Sequence, residues 1–147
     1  HKRNPTVIDL LGQRFEAVPV CPEVELGMGV PREPVRLVAN DASSERMVGS
    51  ESGKDWTQAM VDFNSIKLEA LRQQNLSGFI FKSRSPSCGP GNVPLHHEQE
   101  KSSTVGLFAH ALMQYFPSLP VIDEEALQDE IVRQDFVARV IQYGEKV

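Results

Sequence analysis

Lys82-Ser83-Arg84-Ser85-Pro86-Ser87-Cys88-Gly89 is the stretch that decides the reading of this chain. It follows a short apolar run, Gly78-Phe79-Ile80-Phe81, which predicts a buried strand over about residues 77–82. A cysteine, three serines and two cations therefore lie just past the C-terminal end of a strand, the edge at which ligands bind in open α/β sheets. The serines and the glycine permit tight turns and supply short hydrogen-bonding groups. Lys82 and Arg84 bring positive charge, which favours a thiolate at Cys88. A polar turn with a half-buried cysteine would have the same composition.

Cys21 sharpens the choice. It ends a second apolar run, Phe15-Glu16-Ala17-Val18-Pro19-Val20, and opens Cys21-Pro22-Glu23-Val24. If both runs are parallel strands, the two thiols share one sheet edge. The remainder of the chain alternates in the same way. A long helix is predicted over about 55–74, with Trp56, Ala59, Met60, Phe63, Ile66, Lys67, Ala70 and Leu71 at helical spacing and Asn75 at its end. A helix is predicted over about 104–115, a short strand at Val121-Ile122, and a further helix opening on Asp123-Glu124-Glu125, where the helix dipole favours acids. Near the N-terminus, Asn4 and Pro5 suit the start of a short helix that stops at Gly12. Val35-Arg36-Leu37-Val38 predicts a short exposed strand, whereas 40–53 and 90–103 predict loops. Strand and helix alternate, so the expected fold is α/β: a three-layer, Rossmann-like parallel sheet with helices on both faces.

Composition narrows the function. A chain of 147 residues suits one domain. A net charge of −5 argues against general nucleic-acid binding. No apolar run approaches the ~20 residues of a membrane span. Two cysteines far apart, with nothing else that points to secretion, predict reduced thiols and a cytoplasmic location. Their separation matches no zinc finger or ribbon, and His96 and His97 are adjacent in a polar loop, where solvation is the ordinary state. Gly27 and Gly29 match no dinucleotide-binding fingerprint.

Cys21-Pro22-Glu23-Val24, Gly29-Val30-Pro31-Arg32-Glu33-Pro34 and Lys82-Ser83-Arg84-Ser85-Pro86-Ser87-Cys88-Gly89 together resemble the domain family of unknown function 523 (DUF523), whose characterised members are thiouracil desulfidases. The resemblance covers nearly the whole chain. It implies an enzyme that removes sulfur from a thiolated nucleobase without net redox chemistry, using a [4Fe-4S] cluster. Cys21 and Cys88 would be metal ligands, with a third cysteine expected upstream of His1. Glu23 would handle protons, and Ser85, three residues before Cys88, would join it at the reacting centre, with Ser83 and Ser87 behind it. From the residues themselves, Arg32 either lines the substrate pocket or pairs structurally with Glu33, and Lys82 and Arg84 either bind an anionic substrate or neutralise the cluster's negative charge. The family pattern begins with a strand and a cysteine-bearing turn that are not seen before His1, so a fragment lacking its first strand is expected. Asp135 to Val140 resembles the junction to a fused, helical second domain. Two other readings fit the same residues: a non-catalytic module that binds an anion or nucleotide at the basic edge, and a structural metal or redox domain using Cys21 and Cys88.

Overall fold

The computed structural model describes residues 15–28, 33–39, 45–96 and 101–145. The short helix expected after Asn4, and Arg32 and His97, lie outside them. In chain order the elements are α1 (Pro22–Glu25), β1 (Val35–Ala39), β2 (Glu45–Gly49), α2 (Thr57–Arg72), β3 (Phe79–Phe81), β4 (Val93–His96), β5 (Lys101–Thr104), α3 (Leu107–Tyr115), β6 (Val121–Asp123), a 3₁₀ turn (Ala126–Gln128) and α4 (Glu130–Glu145).

The chain is α/β, but its sheets are not the single parallel one expected. One is four-stranded and mixed, in the order β2-β1-β4-β5; the other is the parallel pair β3-β6. β1 runs antiparallel to β2, with Leu37 opposite Met47, and parallel to β4, with Leu37 opposite Leu95. β5 returns antiparallel along β4, pairing Val93 with Thr104. In the second sheet Phe79 faces Val121 and Phe81 faces Asp123.

Three departures from the sequence reading have physical causes. Phe15 to Val20 forms no strand: residues 16–19 are exposed, and Pro19 has no N–H to give to a ladder. Conversely, 45–49, 93–96 and 101–104 are strands, although they read as parts of polar loops. Only alternate residues point inward there (Met47, Val93 and Leu95), and the outward set is Arg46, Pro94, His96 and Ser103. β1 is not an exposed strand, because Leu37 is wholly buried between β2 and β4.

α2 starts where expected. Asp55 Oδ1 accepts from the Thr57 N–H (2.9 Å), and Thr57 Oγ1 accepts from the Met47 N–H (2.8 Å), so the first turn of the helix is tied to β2. Its inward face is Met60, Asn64, Leu68 and Leu71. Ile66, read as part of the apolar stripe, is 74% exposed. Asn75 ends the segment in a left-handed conformation that asparagine tolerates (φ 56°). The main core joins β1, β2, β3, β4, α2 and α3 around Leu37, Met47, Met60, Leu71, Phe81, Phe108 and Leu112. Phe136 and Val140 of α4 pack instead with Ile122 and Leu127 in a smaller cluster, so the 135–140 segment lies mid-helix. Among the described residues, no helix is long and apolar enough to cross a membrane.

Candidate active site

Cys21 and Cys88 stand on different turns. Cys21 is the residue before α1, in extended conformation, and Pro22 occupies the first helical position, where its missing N–H costs nothing. Glu25 reaches back so that its Oε2 accepts from the Cys21 N–H (2.8 Å), while Oε1 pairs with Lys67 of α2 (2.7 Å). One carboxylate thus fixes the cysteine's backbone and moors its short helix to the long one. Glu25 was not among the residues singled out from sequence. No standard sequence signal marks it: a capping box places its acid three residues after the boundary residue, where this chain has Val24, and Glu25 comes one later.

The second turn, 82–89, is folded tightly on its own backbone and on the start of α3. Gly89 N–H donates to Ser85 O (2.8 Å), Leu107 N–H to Pro86 O (3.0 Å), and the Phe108 and Ala109 N–H groups to Ser87 O (2.8 and 3.0 Å). α3 has no side-chain cap. Loop carbonyls satisfy the N–H groups that every helix leaves open at this end. The packing leaves no room for side chains at two glycines. A Cβ on Gly106 would lie 2.6 Å from the carbonyl carbon and oxygen of Ser87, and one on Gly89 2.9 Å from Ser85 O.

These contacts bring Glu23, Ser85, Ser87 and Cys88 together. Ser87 Oγ lies 2.9 Å from Glu23 Oε2, 3.1 Å from Ser85 Oγ and 3.6 Å from Cys88 Sγ. Ser85 Oγ accepts from the backbone N–H groups of Ser87 (3.3 Å) and Cys88 (3.1 Å). The direction of the chain follows from counting protons. Ser87 Oγ donates to Glu23 Oε2, and that bond uses its one hydroxyl proton. Ser85, already accepting from two amides, gives its proton to Ser87. The order is Ser85 to Ser87 to Glu23, in a place where Ser87 is 1% and Glu23 8% exposed. Ser87, ranked behind Ser85 from sequence, is the central member. Three serines in a short loop carry no sequence signal that separates the inward one.

Burial pushes the Cys88 thiol up to about 12; the Ser87 hydroxyl opposes this, and negative charge at Glu23, Cys21 and Glu25 adds to it. The Ser87–Glu23 hydrogen bond brings the two cysteine turns together, and both cysteines are free. The thiolate-favouring effect expected of Lys82 and Arg84 is not seen, because both cations are engaged elsewhere. Lys82 Nζ lies 3.2 Å from Glu124 Oε1, and Arg84 pairs with Glu125. Glu33 is held by Ser52, whose Oγ donates to it at 2.6 Å. His96 lies exposed on β4.

Two soft thiols on neighbouring turns suit iron and sulfide. A cubane ordinarily takes four thiolates, and among the described residues no group of three or more His, Cys, Asp or Glu is arranged to hold a metal ion. The described residues therefore fit part of a cluster's ligand set. Cys88, protonated in its buried setting, would give up its proton on binding metal.

Comparison with known proteins bears on the same residues. The protein is similar to the uncharacterized protein YbbK of Bacillus subtilis (strain 168), with 31% identity over 97 residues. That match covers 63% of this chain and 64% of the Bacillus protein, so it spans less than two thirds of that relative. In structure it is similar to the [4Fe-4S]-dependent thiouracil desulfidase TudS, with a TM-score of 0.61 and 26% identity over 86% of this chain and 80% of that one. The family model described as 2-thiouracil desulfurase matches residues 1–124, a span that contains both cysteine turns and ends at Glu124, before α4. The chain belongs to the 2-thiouracil desulfurase family.

Proposed function

We propose that this protein replaces the sulfur of a thiolated nucleobase such as thiouracil by oxygen from water, with a [4Fe-4S] cluster as cofactor. Family membership and the likeness to TudS support this reading. The observation that carries it is the hydrogen-bond chain from Ser85 through Ser87 to Glu23, whose buried central member, Ser87, lies beside Cys88. In the reaction a carbon–oxygen bond forms, the carbon–sulfur bond breaks, and the sulfur leaves as hydrosulfide with the protons of water. No electrons are gained or lost.

Cys21 and Cys88 would hold the cluster, with further ligation from outside the described residues. When bound, a cluster with one iron lacking a protein ligand supplies a Lewis-acid position for the substrate sulfur. The protein's own groups do the rest. Glu23 takes a proton from the attacking water and returns one to the departing side, the work of a general acid–base group. Ser87 fixes the orientation of that carboxylate, and Ser85 fixes Ser87. Burial of Glu23 and Ser87, with Ser85 half-buried behind them, limits access of bulk water to the proton path. Lys82 and Arg84, 73% and 65% exposed, stand at the rim, where they would attract an anionic group on the substrate while still paired with Glu124 and Glu125. Arg32 is assigned to substrate binding from the sequence motif. Free thiols and a labile cluster fit a reducing, cytoplasmic setting.

The test is anaerobic incubation of the iron- and sulfide-reconstituted protein with 2-thiouracil. Uracil and hydrosulfide should appear in equal amounts. A reconstituted protein that carries iron and sulfide and releases neither product would overturn the assignment.

A further inference from the structure

The loop that carries Ser85, Ser87 and Cys88 enters its turn through a conformation it does not prefer. Arg84 has φ 59°, and among the described residues the other non-glycine positions with positive φ are asparagines, Asn75 and Asn92. Asparagine visits this region readily; arginine, with a long side chain and no local hydrogen bond to offer, does so at a cost. Something outside the loop must hold Arg84 there, and Glu124 is placed to do it. This residue follows β6, and its N–H donates to Phe81 O (3.2 Å), which extends the β3–β6 pairing by one step. Its carboxylate turns to the loop entrance. Oε2 accepts from the Ser83 N–H at 2.7 Å, and Oε1 accepts from Ser83 Oγ at 2.9 Å and from Lys82 Nζ at 3.2 Å. The neighbouring Glu125 takes the guanidinium of Arg84 itself. Glu124 is buried and Ser83 half-buried, so the two Ser83 donors are bound with little competition from water, while Lys82 reaches in from the exposed side.

From sequence, Asp123-Glu124-Glu125 read as acids at a helix start. The helix begins later, at Glu130, and of the three only Asp123 performs a local capping task, accepting from the Ala126 N–H (2.7 Å). Glu124 and Glu125 point at the loop instead.

We infer that Glu124 is a positioning residue for the active-site loop: by gripping Lys82 and Ser83 it holds the left-handed turn at Arg84, and through that turn sets where Ser85, Ser87 and Cys88 lie. The path is continuous along the chain. Gly89 closes the far side of the turn, with the position of its missing Cβ 3.0 Å from Arg84 N and 2.9 Å from Ser85 O. A relaxed Arg84 would therefore shift Ser85 Oγ away from the Ser87 and Cys88 amides that it now receives. The importance of this for turnover rests on the function proposed above. The grip itself does not, and its test uses no turnover.

The experiment is residue-resolved hydrogen exchange on the full chain, comparing the wild type with Glu124→Gln. A glutamine keeps the size but has one acceptor oxygen in place of two and carries no charge for Lys82. The amides of Ser83, Ser87 and Cys88 should exchange about tenfold faster, while Leu37 and Met47 in the distant β1–β2 pair change by less than about twofold, since the opening is local. A second variant separates loop strain from general loosening. Adding Arg84→Gly to Glu124→Gln gives the turn a residue that accepts positive φ, and should return Ser87 and Cys88 to within about threefold of wild type. Where Glu124→Gln does not fold, Ser83→Ala removes one of the three donors and should speed the same amides by about threefold. Unchanged protection at Ser87 and Cys88, an equal rise at Leu37 and Met47, or no recovery with glycine at position 84 would each overturn the role. A protein that fails to desulfurise thiouracil yet shows these exchange patterns would leave the positioning role standing and remove the proposed reaction.

Discussion

Replacing Ser87 by alanine is the sharpest perturbation of the buried chain. The substitution removes one oxygen from a position that is 1% exposed, and with it three contacts at once. Glu23 Oε2 loses a donor at 2.9 Å, Ser85 Oγ loses its acceptor at 3.1 Å, and the Cys88 thiol loses its polar neighbour at 3.6 Å. A buried polar group deprived of its partner costs about 1–3 kcal/mol. For a chain of this size each kcal/mol moves the melting temperature by about 2–4 °C, so Ser87→Ala should melt roughly 2–12 °C below wild type. The catalytic effect should be larger than the stability effect suggests. Glu23 keeps its carboxylate but not the hydroxyl that orients it, and a displacement of about 1 Å at a reacting group costs on the order of 10²-fold in rate. The assay pairs thermal unfolding by circular dichroism with hydrosulfide release. A double-mutant cycle with Glu23→Gln adds a check, because two residues in contact should show a coupling of about 0.5–3 kcal/mol. A melting temperature within about 1 °C of wild type, far below the shift expected for a lost buried hydrogen bond, together with undiminished turnover, would refute the hydrogen-bond chain.

Glu23→Gln alone preserves shape and still accepts from Ser87, so the fold should survive while turnover drops by roughly 10²–10⁴-fold; wild-type turnover in a loaded protein would remove Glu23 from the mechanism. Gly106→Ala forces a methyl group against the Ser87 peptide, where the ideal Cβ would lie 2.6 Å from the carbonyl oxygen, and should cost about 1–3 kcal/mol in denaturant unfolding, with no loss expected only if α3 can slide away from the loop. Acid stability should depend on Glu124. Burial acts to raise its carboxyl, but the Ser83 N–H and hydroxyl, its own backbone N–H and Lys82 together hold it below the ordinary value of 4.5. A carboxyl depressed in the folded state contributes stability that is present above the ordinary value and is lost as pH falls through the folded one. Unfolding titrations below about pH 4.5 should therefore decline less steeply in Glu124→Gln than in wild type, and parallel curves would contradict this.

The site was more legible in the sequence than the fold. Glu23 and Cys88 come together because each sits in a short, rigid motif: Pro22 sets the turn beside Cys21, and Gly89 with Ser85 sets the turn before Cys88. Such turns are encoded by adjacent residues and can be read locally. The β2, β4 and β5 strands are not encoded in that way. Met47 and Leu95 are single inward residues in polar surroundings, and only their pairing with Leu37 on β1 makes strands of them. Register across a sheet is a property of the partner as well as of the segment. The same limit applies to Ile66, which has helical spacing but falls on the outer face of α2. The partners of Lys82 and Arg84 were hidden for a similar reason, since Glu124 and Glu125 lie far along the chain and reach the loop only because β6 pairs with β3. Position in sequence showed cations beside a cysteine. Position in space shows cations already matched by carboxylates.

Anaerobic reconstitution with iron and sulfide, followed by metal analysis and an absorption spectrum of the wild type, Cys21→Ser and Cys88→Ser, tests the central claim most directly. The wild type should be brown, with a broad shoulder near the visible–ultraviolet boundary and matched iron and sulfide, and either serine substitution should lose most of both, because thiolates are the ligands such clusters require. Iron, sulfide and colour that are the same in all three proteins, or thiol-dependent binding of zinc in place of iron, would contradict the claim that Cys21 and Cys88 hold an iron–sulfur cluster.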